Sequence, residues 1–336
     1  MNSLLKTGVL HEALRKLDEF DRWLILIHIN PDGDTLGCGL ATYSFGARRG
    51  KEARVIGGCK IPESYCFMPF ADKYEQIKVL TPGDVTDDTL IICVDTSTTE
   101  RSVCGLKDFI NENNSINIDH HGDNQLIAGL NIIVPEASAT AEIITEIMLK
   151  SGYGIDTQEA VCLYAALVTD NGYFKFKSTK PQSHLCAARL LEAGVKPSQL
   201  DDFINQNMTR EIMWLWGTVF SRAEVFANGN AAVFWVSKND FIKAKAEHSA
   251  IDGLVNQLLR IMGVKIALLL SDYEGSSKLS VRTRMPYSAR EIAAVWGGGG
   301  HVQAAGAMLS LPLEKALNSV RDTIEKYVAD RNPASE

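Results

Sequence analysis

Four stretches of this sequence end an apolar run on side chains that can hold a metal ion or move a proton. In LILIHINPDGDTLGCG, residues 24–39, a Leu/Ile run stops at His28, followed by Asp32 and Asp34 in a turn-forming Pro-Asp-Gly-Asp cluster. In TLIICVDTST the run ends on Asp95, and in SINIDHHGDN on Asp119, His120 and His121. In LVTDNG it ends on Asp170. Imidazole with closely spaced carboxylates suits a hard or borderline divalent cation. Adjacent His120 and His121 can supply a metal ligand and a proton-transfer group, with Asp119 orienting an imidazole. Taken singly, each stretch has a plainer alternative. Asp32 and Asp34 could be solvated turn residues, and Asp95 could cap a helix.

The elements that must carry these groups follow from the pattern. Runs of four to six apolar residues bounded by turn signals read as buried parallel strands. Such strands are expected at 24–28, 54–56, 89–94 and 115–118, with their chemistry at the carboxyl ends, where open α/β sheets place ligands. Leu4 to Phe20 reads as an amphipathic helix in which His11 is a surface residue. A helix runs from the small residues after Asp34 to about Arg49, another over 137–150, and an apolar one over 157–168. Ser138 and Thr140 read as helix caps or substrate contacts. Tyr173 to Lys177 alternates aromatic with Lys, as an edge strand does, or as a base-and-phosphate grip does. His184 reads as structural, and Arg101 is close enough to Asp95 to share its mouth.

At 336 residues the chain is long for one core, so two domains are expected. The domains read as 1–192, a parallel-sheet α/β domain, and 215–330, a smaller α/β domain. A linker helix, 193–214, joins them. In the second, 231–236, 265–271 and 278–284 read as strands and 251–262 as a helix. Alternation puts Arg282 and Arg284 on one face, solvated or gripping phosphate. Gly297 to Gly300 then lead to His301, and the Ala-rich run 302–307 is expected to start a helix. Glycines there let backbone N–H groups approach an anion, or make a plain turn. The tail 331–336 reads as frayed.

Composition narrows the class. The hydrophobic fraction of 46% and charged fraction of 22% are those of a globular protein. A net charge of −7 argues against a groove for long nucleic acid but permits a small anionic substrate held by local Arg and Lys. Seven cysteines, an odd number without any C-x-x-C, read as reduced thiols. With no signal-peptide layout and no run long enough to span a bilayer, the expectation is a cytoplasmic protein without a membrane partner.

The ordered set resembles the DHH phosphoesterase family. HINPDGD resembles its first motif, VDTST its second, IDHHGDN its third and LVTDNG its fourth. GGGGHVQAAGA resembles the glycine-rich motif of the DHHA1-type domain that often follows. The layout is most similar to members that act as nanoRNases and dephosphorylate adenosine 3′,5′-bisphosphate. The resemblance implies a two-metal hydrolase of phosphoester bonds. His28, Asp32 and Asp95 would hold one metal, and Asp34, Asp95, His120 and Asp170 the other, with Asp95 bridging. Asp119 would support the site, and His121 would sit beside the scissile phosphate as proton donor. Arg101, Arg282, Arg284 and Gly298, Gly299, Gly300 and His301 would grip the substrate, over which the C-terminal domain would close. Two Mn2+ ions are the expected cofactor, with Mg2+ or Co2+ as substitutes. The expected substrates are short oligoribonucleotides such as pApA, or small nucleotides. Cyclic-dinucleotide hydrolysis is the alternative, ahead of pyrophosphate hydrolysis and of a nucleotide sensor without turnover. A homodimer is left open.

Overall fold

The computed structural model describes residues 3–206, 208–251 and 253–331. The chain forms two compact units, 1–207 and 208–336. The tail read as frayed lies, beyond residue 331, outside the described residues.

The first unit is built on a six-stranded sheet. Its strands are β1 (Arg22–Leu26), β2 (Glu52–Gly57), β3 (Tyr74–Gln76), β4 (Thr89–Val94), β5 (Ser115–Asp119) and β6 (Leu130–Ile133). All pair parallel, in the order β3-β2-β1-β4-β5-β6. Parallel strands with both faces covered must be apolar throughout, and every residue of β4 is buried. The strand order reverses between β1 and β4, so their carboxyl ends flank the crevice where doubly wound sheets bind ligands. His28 and Asp95 stand at that point.

Helices α1 (Thr7–Glu19), α2 (Gly33–Arg48), α3 (Leu106–Phe109), α4 (Thr140–Lys150), α5 (Thr157–Asp170), α6 (Pro181–Glu192) and α7 (Pro197–Asn205) complete the unit. The larger core joins Trp23, Ile25 and Ile27 to buried residues of α1, α2, α4, α5 and α6. On the opposite face Leu24 and Leu26 pack with Ile91, Cys93 and Leu106. Helix α2 approaches its neighbours closely because it carries glycines. A Cβ on Gly37 would lie 2.3 Å from the Cys162 carbonyl oxygen on α5, and one on Gly39 would lie 2.5 Å from Ile27 Cγ2.

The second unit has a mixed sheet of β7 (Glu224–Phe226), β8 (Ala231–Val236), β9 (Ile266–Tyr273), β10 (Ser276–Thr283), β11 (Gly299–Gly300) and β12 (Ala304–Leu309). The order is β11-β12-β10-β9-β8-β7, and only β8 and β9 pair parallel. One face packs on α10 (Ala289–Ala294) and α11 (Leu313–Ala329), the other on α8 (Arg210–Phe220) and α9 (Lys238–Ala244).

Several expectations are corrected. The stretch 193–214, read as one helix, contains two. Helix α7 ends at Asn205, and α8 starts afresh behind Thr209, whose hydroxyl accepts from the Ile212 amide. The region read as a helix over 251–262 holds the 3-10 turns His248–Ile251 and Leu254–Arg260. The Ala-rich run after His301 is strand β12, because its backbone pairs with β10 along Ala304–Leu309 and overrides Ala's helix propensity. Tyr173 to Lys177 form turns rather than an edge strand, with Tyr173 and Phe174 at φ of 56° and 62°. All seven cysteines are free. Among the described residues no helix is long and apolar enough to cross a membrane.

Candidate metal centre

The turn after β1 is shaped by Asp32, which caps α2. Its Oδ1 accepts from the amides of Asp34 and Thr35, each at 3.1 Å. That cap places Asp34 in the first turn of α2, buried, while the Asp32 side chain stays 56% exposed. Behind β1, His28 Nδ1 donates to the Ile29 carbonyl at 2.8 Å, which leaves Nε2 facing Asp95 Oδ2 at 3.4 Å and Asp32 Oδ1 at 3.6 Å. Nε2 is buried and makes no hydrogen bond. A second-nitrogen anchor of this kind fixes the tautomer of a metal-binding imidazole.

Asp95 follows β4 with φ of 54°, a left-handed backbone that Asp tolerates better than most residues. Its Oδ1 looks the other way, 3.7 Å from His120 Nε2. His120 Nε2 also lies 3.5 Å from Asp170 Oδ2 and 4.0 Å from Asp34 Oδ2. Asp170, at the end of α5, thus closes a second group. The ligand atoms of His28, Asp32 and Asp95 lie within 4.8 Å of one another, as do those of Asp34, His120 and Asp170. Asp95, Asp119, His120 and His121 form a third such group.

Asp119 is fully buried and saturated. Oδ1 accepts from His121 Nδ1 at 2.7 Å and from the amides of His120 and His121 at 2.7 and 3.1 Å, and Oδ2 accepts from Asn124 at 2.5 Å. It orients His121. That hydrogen bond raises the His121 pKa against the opposing pull of burial, and Asp95 adds to it while Arg101 opposes. Arg101 is held at this mouth by its carbonyl, which accepts from the Ile29 amide at 2.6 Å.

The sequence did not point to the role of α4. The amides of Thr140 and Ala141 donate to Asp34 at 2.7 and 3.2 Å, and the Thr140 hydroxyl donates to Asp95 Oδ1 at 2.9 Å. A helix N-terminus therefore steadies two carboxylates. The cap at the head of α4 is Ala139, without a side-chain bond, so the capping role expected of Ser138 and Thr140 is not the one they play. Thr140 could be found only by tracing side chains that meet across a long sequence separation, whereas Asn124, in the turn just past Asp119, reads in the sequence as a turn residue alone.

The charge balance suits a bound divalent cation. Burial, then Asp95, Asp170 and Asp32, push Asp34 well above the usual carboxylate range, with the Thr140 amide opposing. Burial pushes Asp170 up to about 6; His120 pulls it back, and Asp95 and Asp32 push it further. Burial opposes a charge on His28, but Asp32 and Asp95 outweigh it and raise its pKa to about 10. Crowded carboxylates and an orphaned imidazole nitrogen are what a divalent ion would satisfy. A consequence can be measured. Groups with folded pKa values above their unfolded ones contribute stability that is lost as pH rises through the folded value. The chelated protein should therefore melt at progressively lower temperature from pH 6 to pH 10, and saturating manganese should flatten that slope. Fluorimetric melting with chelator and with Mn2+ checks it. A slope unchanged by the metal would contradict it.

The remaining expected residues belong to the second unit. Arg282, part-buried on β10, donates from Nη1 to the Val281 carbonyl at 3.0 Å, and Arg284 is exposed just beyond that strand. Gly299 and Gly300 form β11 and pair with β12, and His301 turns the hairpin with its amide on the Ala304 carbonyl at 2.7 Å. A Cβ on Gly298 would lie 2.2 Å from the Gly306 carbonyl oxygen, so close strand approach requires glycine there. The glycine run is a hairpin and not the entry to a helix.

Comparison with known proteins agrees with these features. Residues 22–167 match the model of the DHH family N-terminal domain, and residues 228–330 that of the DHHA1 domain. The chain is 30% identical over 305 residues to the bifunctional oligoribonuclease and PAP phosphatase NrnA of Thermus thermophilus, covering 90% of this chain and 89% of that one. It is 25% identical to the Bacillus subtilis protein of the same name, over 89% and 92% of the two chains. Among solved structures, an exopolyphosphatase-related protein from Bacteroides fragilis superposes with a TM-score of 0.88 at 23% identity, over 98% of each chain. That likeness is one of fold.

Proposed function

Because this chain belongs to the DHH family and carries a DHHA1 domain, we propose that it is a metal-dependent phosphoesterase acting on very short oligoribonucleotides and on adenosine 3′,5′-bisphosphate. One observation carries the reading. Two sets of ligand atoms, from His28, Asp32 and Asp95 and from Asp34, His120 and Asp170, lie either side of a single buried carboxylate. The relatives named oligoribonuclease and PAP phosphatase, aligned over nine-tenths of the chain, direct the choice of substrate.

Asp95 would bridge two ions, Oδ2 toward the His28 side and Oδ1 toward the His120 side. Two divalent cations, Mn2+ in this reading, would supply a water of lowered pKa and neutralise charge on the phosphoryl oxygens. The protein's own groups do the rest. Asp119 holds His121 by Nδ1, leaving Nε2 to carry the proton delivered to the leaving oxygen. Arg101 places positive charge at the same mouth. From the second domain, Arg282, Arg284 and the Gly298 to His301 hairpin would bind the rest of the substrate. A net charge of −7 agrees with short rather than long nucleic acid.

The test is a substrate panel with purified protein and Mn2+: pApA, adenosine 3′,5′-bisphosphate, cyclic di-AMP and pyrophosphate. Turnover of the first two, lost on chelation, is the expected result. Preference for the cyclic dinucleotide or pyrophosphate would reassign the substrate, and no turnover of any would leave a nucleotide sensor. His301→Ala should lower kcat/KM for pApA roughly 10–100-fold, the scale of one lost charged or polar substrate contact. Its manganese content should stay at the wild-type value by elemental analysis. Loss of metal in that variant would remove His301 from the substrate side.

A further inference from the structure

We propose that Thr140 is a positioning residue: its hydroxyl sets the plane of the Asp95 carboxylate so that one oxygen serves each cation site. This rests on the two-cation reading above. A carboxylate rotates easily about its terminal torsion, which has no sharp staggered wells. Bridging requires that rotation to be stopped. Asp95 Oδ2 faces His28 Nε2 at 3.4 Å, and Oδ1 faces His120 Nε2 at 3.7 Å and His121 Nδ1 at 3.6 Å. The Thr140 hydroxyl donates to Oδ1 at 2.9 Å. Among the described residues no other hydroxyl or amide donates to this carboxylate. Thr140 is fully buried and Asp95 is 2% exposed, so water cannot replace the bond at little cost.

Thr140 is itself held in place. The Ser138 amide and hydroxyl both donate to Glu142 Oε1, at 3.1 and 2.5 Å. The Ser138 oxygen receives the hydroxyl of Ser183 at 3.0 Å and the amide of Asn171 at 3.4 Å. Asn171 directly follows Asp170, so one buried network ties the start of α4 to the end of α5. The Thr140 backbone amide, on Asp34 at 2.7 Å, does not depend on the side chain. Removing the hydroxyl therefore isolates its action on Asp95.

Because the hydroxyl touches Oδ1, its loss should weaken mainly the site of Asp34, His120 and Asp170. The experiment is a titration of the full chain with Mn2+ at pH 7.5, following free manganese by electron paramagnetic resonance. Wild type should bind two ions. Thr140→Val should keep one site within about threefold and weaken the other about 10–100-fold, the range for supporting residues around a metal. Thr140→Ser should restore it. Turnover of Thr140→Val should recover as manganese is raised, with KM for substrate unchanged. Both sites weakening alike, or neither, would overturn the proposal, as would a Ser variant that behaves like Val. If Thr140→Val does not fold, the contrast of Thr140→Ser with Thr140→Ala decides in the same terms. Wild type binding fewer than two ions would instead overturn the two-cation reading, before any variant is compared.

Discussion

Asp95→Asn is expected to give a folded protein that turns over none of the panel, with kcat/KM reduced on the order of 10³–10⁵-fold, as when one member of a cooperating set is removed. The reason lies in how much the one carboxylate carries. It is buried, lies within 3.7 Å of three imidazole nitrogens and accepts the Thr140 hydroxyl. Asn keeps the shape and is at home in the left-handed backbone at 54°, so the fold is spared. It removes the charge that two cations would share and turns one oxygen into an N–H donor, which no cation accepts. Elemental analysis should find at most one manganese per chain. Activity within tenfold of wild type would remove Asp95 from the bridging position. His120→Ala should fail equally, since it strips an imidazole from one ligand group.

The second large effect lies about 4.5 Å along α2 from Asp34, by the rise of 1.5 Å per residue, rather than at a ligand. Gly37→Leu should cost about 3 kcal/mol or more through overpacking. That lowers the melting temperature by roughly 6–12 °C for a domain of this size. The new Cβ would sit 2.3 Å from the Cys162 carbonyl oxygen and 2.9 Å from Ala166 Cβ, and a helix backbone cannot yield as a flexible side chain can. The two helices forced apart, α2 and α5, carry Asp34 and Asp170 respectively. Manganese should therefore be lost even below the melting temperature. Gly8→Ala is the control: on α1 with nothing within 4 Å, it should change neither quantity adversely. Metal retained at wild-type affinity in the Gly37 variant would break the link between helix spacing and ligand spacing.

What the sequence disclosed depended on periodicity. Strands β1, β4 and β5 were readable because their apolar runs are buried on both faces and end in turn residues. Strands β3, with residues YEQ, and β6, LNII, are short and partly polar at or near the sheet edge, and gave no such run. The Ala-rich stretch after His301 misled because composition reports helix propensity, whereas pairing with β10 is a long-range fact. The site divides the same way. His28, Asp95, Asp119 and Asp170 stood out because a polar group ending an apolar segment is costly without a partner. Thr140 did not, since its bond to Asp95 exists only once distant segments have met, and Asn124 did not because an Asn in the turn just past Asp119 has a plainer local role.

Around the ligand-bearing turns, five residues have left-handed backbones: Asn30, Asp95, Gly172, Tyr173 and Phe174, with φ between 54° and 62°. For the two aromatics this conformation is disfavoured by roughly 1–2 kcal/mol each. Phe174 is retained against it by a ring stack on His184 at 4.7 Å, and Tyr173 by its phenol oxygen, which accepts from Asn205 at 2.7 Å. Glycine at 173 or 174 would relieve the backbone but forfeit those contacts and the packing of both rings on the core, so a laboratory selection for heat resistance would leave both aromatics in place. Contacts outside the ligand set thus hold the loop behind Asp170 in a conformation it would not adopt alone, and that restraint helps to fix where the last carboxylate stands.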